Sequence, residues 1–186
     1  RISARHITIL LYHQIDPVVF ADQLDFLREN YNITSLRAVR DAFWFDKRLP
    51  PHSLVITFDD GWKSNYALLP ILRQHGCPIT LFLNMGIIDT HRKIWNYILD
   101  RSIRTENNWL KTIPNSEREK YLHDNYDYWP KKEFVERSML NLSEIEEMAS
   151  HVDFQSHGMF HPVFTKCSKE ELFFELTESK NLLSEI

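Results

Sequence analysis

The run Leu54-Val55-Ile56-Thr57-Phe58 constrains this chain more than any other feature, because every residue in it is apolar or β-branched. A run so short and so uniformly apolar reads as a strand covered on both faces, the situation of a central strand in a parallel sheet. Similar runs lie on either side of it, Ile7-Thr8-Ile9-Leu10-Leu11-Tyr12 before and Pro78-Ile79-Thr80-Leu81-Phe82-Leu83 after. The first of these also reads as buried on both faces. Helical patterns fill the intervals. Asp16-Pro17 supplies a cap and a proline for the first helical position, with Phe20, Leu24 and Leu27 following at i, i+4, i+7. A short strand over residues 31–34 leads to Ser35, the cap of a second helix with Leu36, Val39 and Phe43 inward, and Pro50-Pro51 closes that unit. A third helix carries Leu68, Leu69, Ile71 and Leu72 and ends at Gly76, where a left-handed residue is expected. Pro70 implies that this helix starts late or is kinked. Strand and helix alternating at this spacing predict parallel βα units.

The pattern loosens over residues 91–140, which read as a helical insertion rich in charge and in aromatics, among them Trp95, Trp109, Tyr128 and Trp129. Those rings could stack on sugars, but the commoner use of aromatics in a half-amphipathic insert is to pack it down. Ser143-Glu144-Ile145-Glu146 reads as a capping box for a helix through Met148, and Val152-Asp153-Phe154-Gln155 as a short strand. A second capping box, Ser168 to Glu171, starts a helix expected to set Phe173, Leu176 and Leu183 on one side. A chain of 186 residues suits one domain, here residues 1–186.

Charge narrows the partners. With 22 Lys plus Arg against 26 Asp plus Glu there is no basic stripe, which argues against a nucleic acid or an anionic membrane as the main partner. No apolar run approaches the roughly 18 residues of a membrane-spanning helix, and residues 1–5 hold no apolar signal region. A removed leader is compatible with a chain that begins without Met. Cys77 and Cys167 are too few for a disulfide framework and leave the redox compartment open.

Two clusters carry candidate chemistry. Asp59 and Asp60 follow the central strand directly, and adjacent carboxylates repel unless a cation relieves them. Successive side chains leave a strand on opposite sides, so one carboxylate can face a metal and the other a substrate. An ordinary Asp-Asp-Gly turn would have the same sequence. His157 and His161 are four apart, the spacing that puts two imidazoles on one face of a helical turn. One carboxylate and two imidazoles make the three-ligand set of an open catalytic site. Packing alone would explain a histidine pair, but both clusters end βα strands on the same expected face. Glycine is scarce, at 4 residues, and Gly61 and Gly158 each sit beside one of these clusters.

Thr57-Phe58-Asp59-Asp60-Gly61 and Ser156-His157-Gly158-Met159-Phe160-His161-Pro162 resemble the first two signature motifs of the polysaccharide deacetylases, the NodB-homology carbohydrate esterases. Leu11-Tyr12-His13 further resembles the branch of poly-N-acetylglucosamine deacetylases. The resemblance implies an α/β fold, a distorted and incomplete (β/α) barrel, and a hydrolase that removes N-acetyl groups from an N-acetylglucosamine-type polysaccharide. It implies that Asp60, His157 and His161 hold one divalent ion, zinc with cobalt or nickel as substitutes. Asp59 would be the general base and His13 the general acid, although His13 could as well be a strand-end residue bonded to backbone. An O-acetyl polysaccharide esterase and a catalytically silent glycan-binding module are the alternatives. The family's base-orienting Arg, its Pro-Tyr segment and its last strands have no counterpart before Ile186; a C-terminally incomplete domain is the preferred expectation, with a partner that supplies the rest or a damaged relative as the alternatives. Oligomeric state is open, and so is location, with the cell envelope or secretion preferred.

Overall fold

The alternation of strands and helices follows the order read from the sequence. In a computed structural model of the chain, residues 6–99 and 104–186 are described; the residues read as free of a signal region, 1–5, lie outside them. The strands are β1 (Thr8–Tyr12), β2 (Asn32–Ile33), β3 (Ser53–Phe58), β4 (Ile79–Leu83) and β5 (Val152–Ser156). They form one open sheet in the order β1-β3-β4-β5, with β2 also paired to β3. The pairs β1/β3, β2/β3 and β3/β4 are all parallel, with Tyr12 opposite Phe58 and Phe58 opposite Leu81. The protein is therefore an α/β fold built on a parallel sheet.

The chain divides into two units. The first comprises the described residues up to Phe82 together with Ser143–Gln155 and carries the sheet. Every residue of β3 is buried, as a doubly covered strand requires. Helix α1 (Pro17–Asn30) begins where expected: the Asp16 carboxylate accepts from the Val18 and Val19 N–H groups, and Phe20, Leu24 and Leu27 are buried. Phe20 meets Tyr12 and Phe58 edge-on at ring centroid distances of 5.9 and 5.6 Å, while Tyr12 stacks on Phe58 at 5.1 Å. Each such pair adds roughly 0.5–1.5 kcal/mol beyond its buried area, so this trio pins α1 over the end of the sheet where β1 and β3 finish. Helix α3 (Leu69–His75) starts late, after a 3-10 stretch at Lys63–Leu68, with Pro70 in its first turn, and it ends on Gly76 at φ 58°. Helix α6 (Leu142–Met148) belongs here too and buries Ile145 and Met148.

Three expectations fail in this unit. Among the described residues β1 pairs with β3 alone, at the edge of the sheet, and Ile7, Ile9 and Leu11 are exposed, so it is not buried on both faces. Helix α2 (Leu36–Phe45) is capped by Ser35 as expected and has Leu36 and Val39 half-buried, but no residue of it is fully buried and Phe43 is 79% exposed. Its last turn holds Phe43, Trp44 and Phe45 in succession, and at 100° per residue no single helix face can bury all three. Ser143 lies inside the first turn of α6, which begins one residue earlier, so it is not that helix's cap.

The second unit comprises Leu83–Leu142 with Ser156–Ile186, and no described helix is long and apolar enough to cross a membrane. It holds α4 (Arg104–Leu110), α5 (Asn115–Tyr126) and α7 (Lys169–Leu183). Trp95 and Tyr128 are buried, as aromatics that pack an insert should be. Trp129 is 43% exposed and lines a cavity of about 470 Å³ with Phe160, Phe174 and Glu175. The Ser168 capping box is present in both directions, hydroxyl to the Glu171 N–H and Glu171 carboxylate to the Ser168 N–H. The rest of α7 departs from expectation: Phe173 and Leu176 are exposed, and the buried positions are Glu175 and Ser179. Polar loop backbone, not an apolar core, faces that side of the helix.

Candidate metal centre

Asp59 and Asp60 are placed by the end of β3. The Asp59 N–H donates to the Tyr12 carbonyl at 2.9 Å, which carries the β1/β3 pairing to the last residue before the turn. The chain then bends through two left-handed residues, Asp60 at φ 79° and Gly61 at φ 81°. Glycine takes that conformation freely, whereas a non-glycine residue held in it stores of order 1–3 kcal/mol. The strain aims Asp60 inward: it is 2% exposed, and the Trp62 indole N–H donates to its Oδ2 at 3.0 Å. His13 is the residue after Tyr12, and Tyr12 is paired with Phe58, so by register His13 stands beside Asp59. Its carbonyl is held by the Asn65 side-chain amide at 3.0 Å and its side chain is exposed.

The second motif is not a helical turn, contrary to the reading of its spacing. Residues 157–161 are a loop whose main chain is fixed on every side. The His157 N–H donates to the Leu83 carbonyl at 2.8 Å and the Gly158 N–H to the Ser156 hydroxyl at 3.1 Å. Met85 and Gly86 N–H groups donate to the Gly158 and Met159 carbonyls at 2.9 and 3.0 Å. The Trp95 indole donates to the His161 carbonyl at 2.9 Å. With Gly158 at φ 91° and His161 at φ 58°, the loop doubles back and brings the two imidazoles to a centroid distance of 5.1 Å.

Sequence reasoning had no purchase on several of these supports. Trp95 is one aromatic among many, and neither Glu175 nor Gly86 belongs to a motif. A Cβ on Gly86 would lie 2.7 Å from Phe160 Cε1 and 2.9 Å from the Met159 carbonyl oxygen. Gly86→Ala is therefore expected to lower stability by about 1–3 kcal/mol, the usual range for overpacking, as measured by urea unfolding.

Together the motifs supply a donor set. One ligand atom each from Asp60, His157 and His161 lies within 4.8 Å of the other two. Donors bound to a zinc-like ion at about 2.0–2.2 Å can be at most about 4.4 Å apart, close to the grouping of these three atoms. A nearly buried carboxylate with two half-buried imidazoles suits borderline divalent ions such as zinc, cobalt or nickel, not calcium, which takes six to eight oxygens. The residues fit a metal.

The profile of the family described as polysaccharide deacetylase matches residues 46–186. No curated protein sequence matches the chain. Among solved structures, a deacetylase from Streptococcus pyogenes, PplD in complex with acetate, is similar over 96% of this chain and 67% of its own, with a TM-score of 0.61 at 18% identity. A polysaccharide deacetylase from Bacillus cereus matches over 96% of this chain and 46% of its own, with a TM-score of 0.61 at 20% identity. A de-N-acetylase from Aggregatibacter actinomycetemcomitans matches over 82% of this chain and 54% of its own, with a TM-score of 0.50 at 17% identity. The chain thus spans from about half to two thirds of the length of these proteins.

Proposed function

Because the chain belongs to the polysaccharide deacetylase family, we propose that it is the catalytic part of a metal-dependent hydrolase that removes N-acetyl groups from an N-acetylglucosamine-type polysaccharide. The observation that carries this reading is the grouping of Asp60, His157 and His161, drawn from the two motifs most specific to the resemblance. The names of two structural relatives support its finer part: one is a de-N-acetylase, and the other was solved with acetate, the product such a reaction releases.

A divalent ion held by these three residues supplies Lewis-acid polarisation of the acyl oxygen and lowers the pKa of a water toward about 7. Asp59 would take a proton from the attacking water, the role the resemblance of the Thr57 to Gly61 motif implies for it. His13 donates a proton to the leaving nitrogen. Its place beside Asp59 in the β1/β3 register puts acid and base on neighbouring strand ends. The products are acetate and a free amino sugar, so a neutral glycan becomes cationic.

The test is acetate release by the full-length protein from N-acetylglucosamine oligomers and, in parallel, from O-acetylated xylan. Release from the oligomers supports the proposal, release from xylan alone would make the protein an esterase, and release from neither would leave a glycan-binding module. In the same assay His13→Phe should lower turnover by about a hundredfold or more, the usual worth of general acid catalysis, with metal content unchanged.

A further inference from the structure

Helix α7 buries the wrong residues for a helix held by hydrophobic packing. Phe173 and Leu176 stay 72% and 50% exposed while Glu175 is 6% and Ser179 0% exposed. A carboxylate is expensive to bury unless something specific compensates it, and here two consecutive peptide groups do. The Met159 and Phe160 N–H groups both donate to Glu175 Oε2, at 2.6 and 3.1 Å. These are the main-chain donors lying between the two histidines of the second motif. One helical turn further on, Ser179 accepts from the Ser156 hydroxyl at 2.7 Å, and Ser156 in turn accepts from the Gly158 N–H at 3.1 Å. Three successive N–H groups of the loop, at residues 158, 159 and 160, are thus satisfied from one face of α7, two directly by Glu175 and one through Ser156 and Ser179. The carboxylate also fixes what Gly158 can be, since a Cβ there would lie 2.9 Å from Oε2. Burial pushes the Glu175 carboxyl above the usual carboxylate range, and the two peptide donors draw it back.

We propose that Glu175 is a positioning residue for the metal centre: its carboxylate clamps the peptides between His157 and His161 and so sets the separation and orientation of the two imidazoles. The loop could hold its reversed path with other acceptors only if they reached the same two N–H groups. Leu83, Met85, Gly86 and Trp95 bond elsewhere on the loop, leaving the Met159–Phe160 donors to α7. This inference rests on the metal-binding reading of His157 and His161, and the experiment separates the two.

Full-length protein is prepared as wild type, Glu175→Gln and Glu175→Ala, stripped of metal. Amide exchange at Met159 and Phe160 is followed by NMR in the apo form, and cobalt affinity and the visible cobalt spectrum by titration. In Glu175→Ala the two amides should exchange at least about tenfold faster, and cobalt should bind about 10–100-fold more weakly with an altered spectrum, the range seen when a residue supporting a ligand is lost. Glu175→Gln keeps an acceptor oxygen without the charge and should fall between wild type and alanine in both measurements. If Glu175→Ala does not fold, the glutamine variant alone decides, by the same exchange and spectral changes. Wild-type amide exchange in a folded variant, or wild-type cobalt affinity and spectrum, overturns the role. A wild-type protein that binds no cobalt defeats the metal reading instead, and without ligands to position the role falls with it, whatever the amide exchange shows of the clamp.

Discussion

Full-length protein carrying His157→Ala and His161→Ala together is expected to contain no stoichiometric divalent ion and to release acetate no faster than buffer. Loss of one residue that merely supports a metal ligand weakens binding by about 10–100-fold, so removing two direct ligands from a three-residue set should exceed about ten-thousandfold. Asp60 alone, even with its carboxylate oriented by Trp62, cannot retain an ion through dialysis. The backbone complicates the substitution. His161 sits at φ 58°, a conformation that histidine and asparagine adopt more readily than alanine does. Alanine there adds about 1–3 kcal/mol of strain that has nothing to do with metal. A companion variant with His161→Asn in place of His161→Ala keeps the turn, and urea unfolding of the apo proteins separates the two effects. Metal by elemental analysis should vanish in both variants, while stability falls more in the alanine version. An ion retained at wild-type content would mean that other residues hold it.

The parts of the fold legible in the sequence are those set by local rules. β3 announces itself because burial on both faces leaves no charged residue in it and a run of apolar and β-branched ones, and α1, α3 and the start of α7 because Asp16, Gly76 and Ser168 each meet a specific backbone need. What the sequence hides is which neighbour an element meets. Ile9 and Leu11 look like core, yet β1 lies at the sheet edge. Phe173 and Leu176 look like the inner face of α7, yet the inner face is Glu175 and Ser179, because unpaired loop peptides attract acceptors more strongly than they attract a phenyl ring. The same limit governs the site. Its three metal-binding candidates were identifiable by residue type and position after strands, whereas the device that brings the histidines together, a loop with two left-handed residues instead of a helical turn, lies in backbone torsions that a four-residue spacing does not specify.

Asp59→Asn should lower turnover by about a hundredfold to ten-thousandfold while leaving the metal in place, and this combination most sharply separates an enzyme from a module that only binds glycan. Asparagine has the size and one acceptor oxygen of aspartate but cannot take a proton from water at neutral pH. General base catalysis contributes about 10²–10⁴-fold, so kcat should fall by that factor. Structure and metal should change little, because Asn keeps the size of Asp, the Asp59 main chain still donates to the Tyr12 carbonyl, and the ion is assigned to Asp60 and the two histidines. Asp60→Asn should behave differently, reducing metal content first and activity as a consequence. The assay is acetate release per bound metal, with binding of N-acetylglucosamine oligomers measured separately. Unchanged oligomer affinity with lost turnover in Asp59→Asn places that carboxylate in the chemical step. Turnover retained within about threefold of wild type would remove Asp59 from the mechanism, since no uncatalysed deprotonation could replace a contribution of 10²–10⁴.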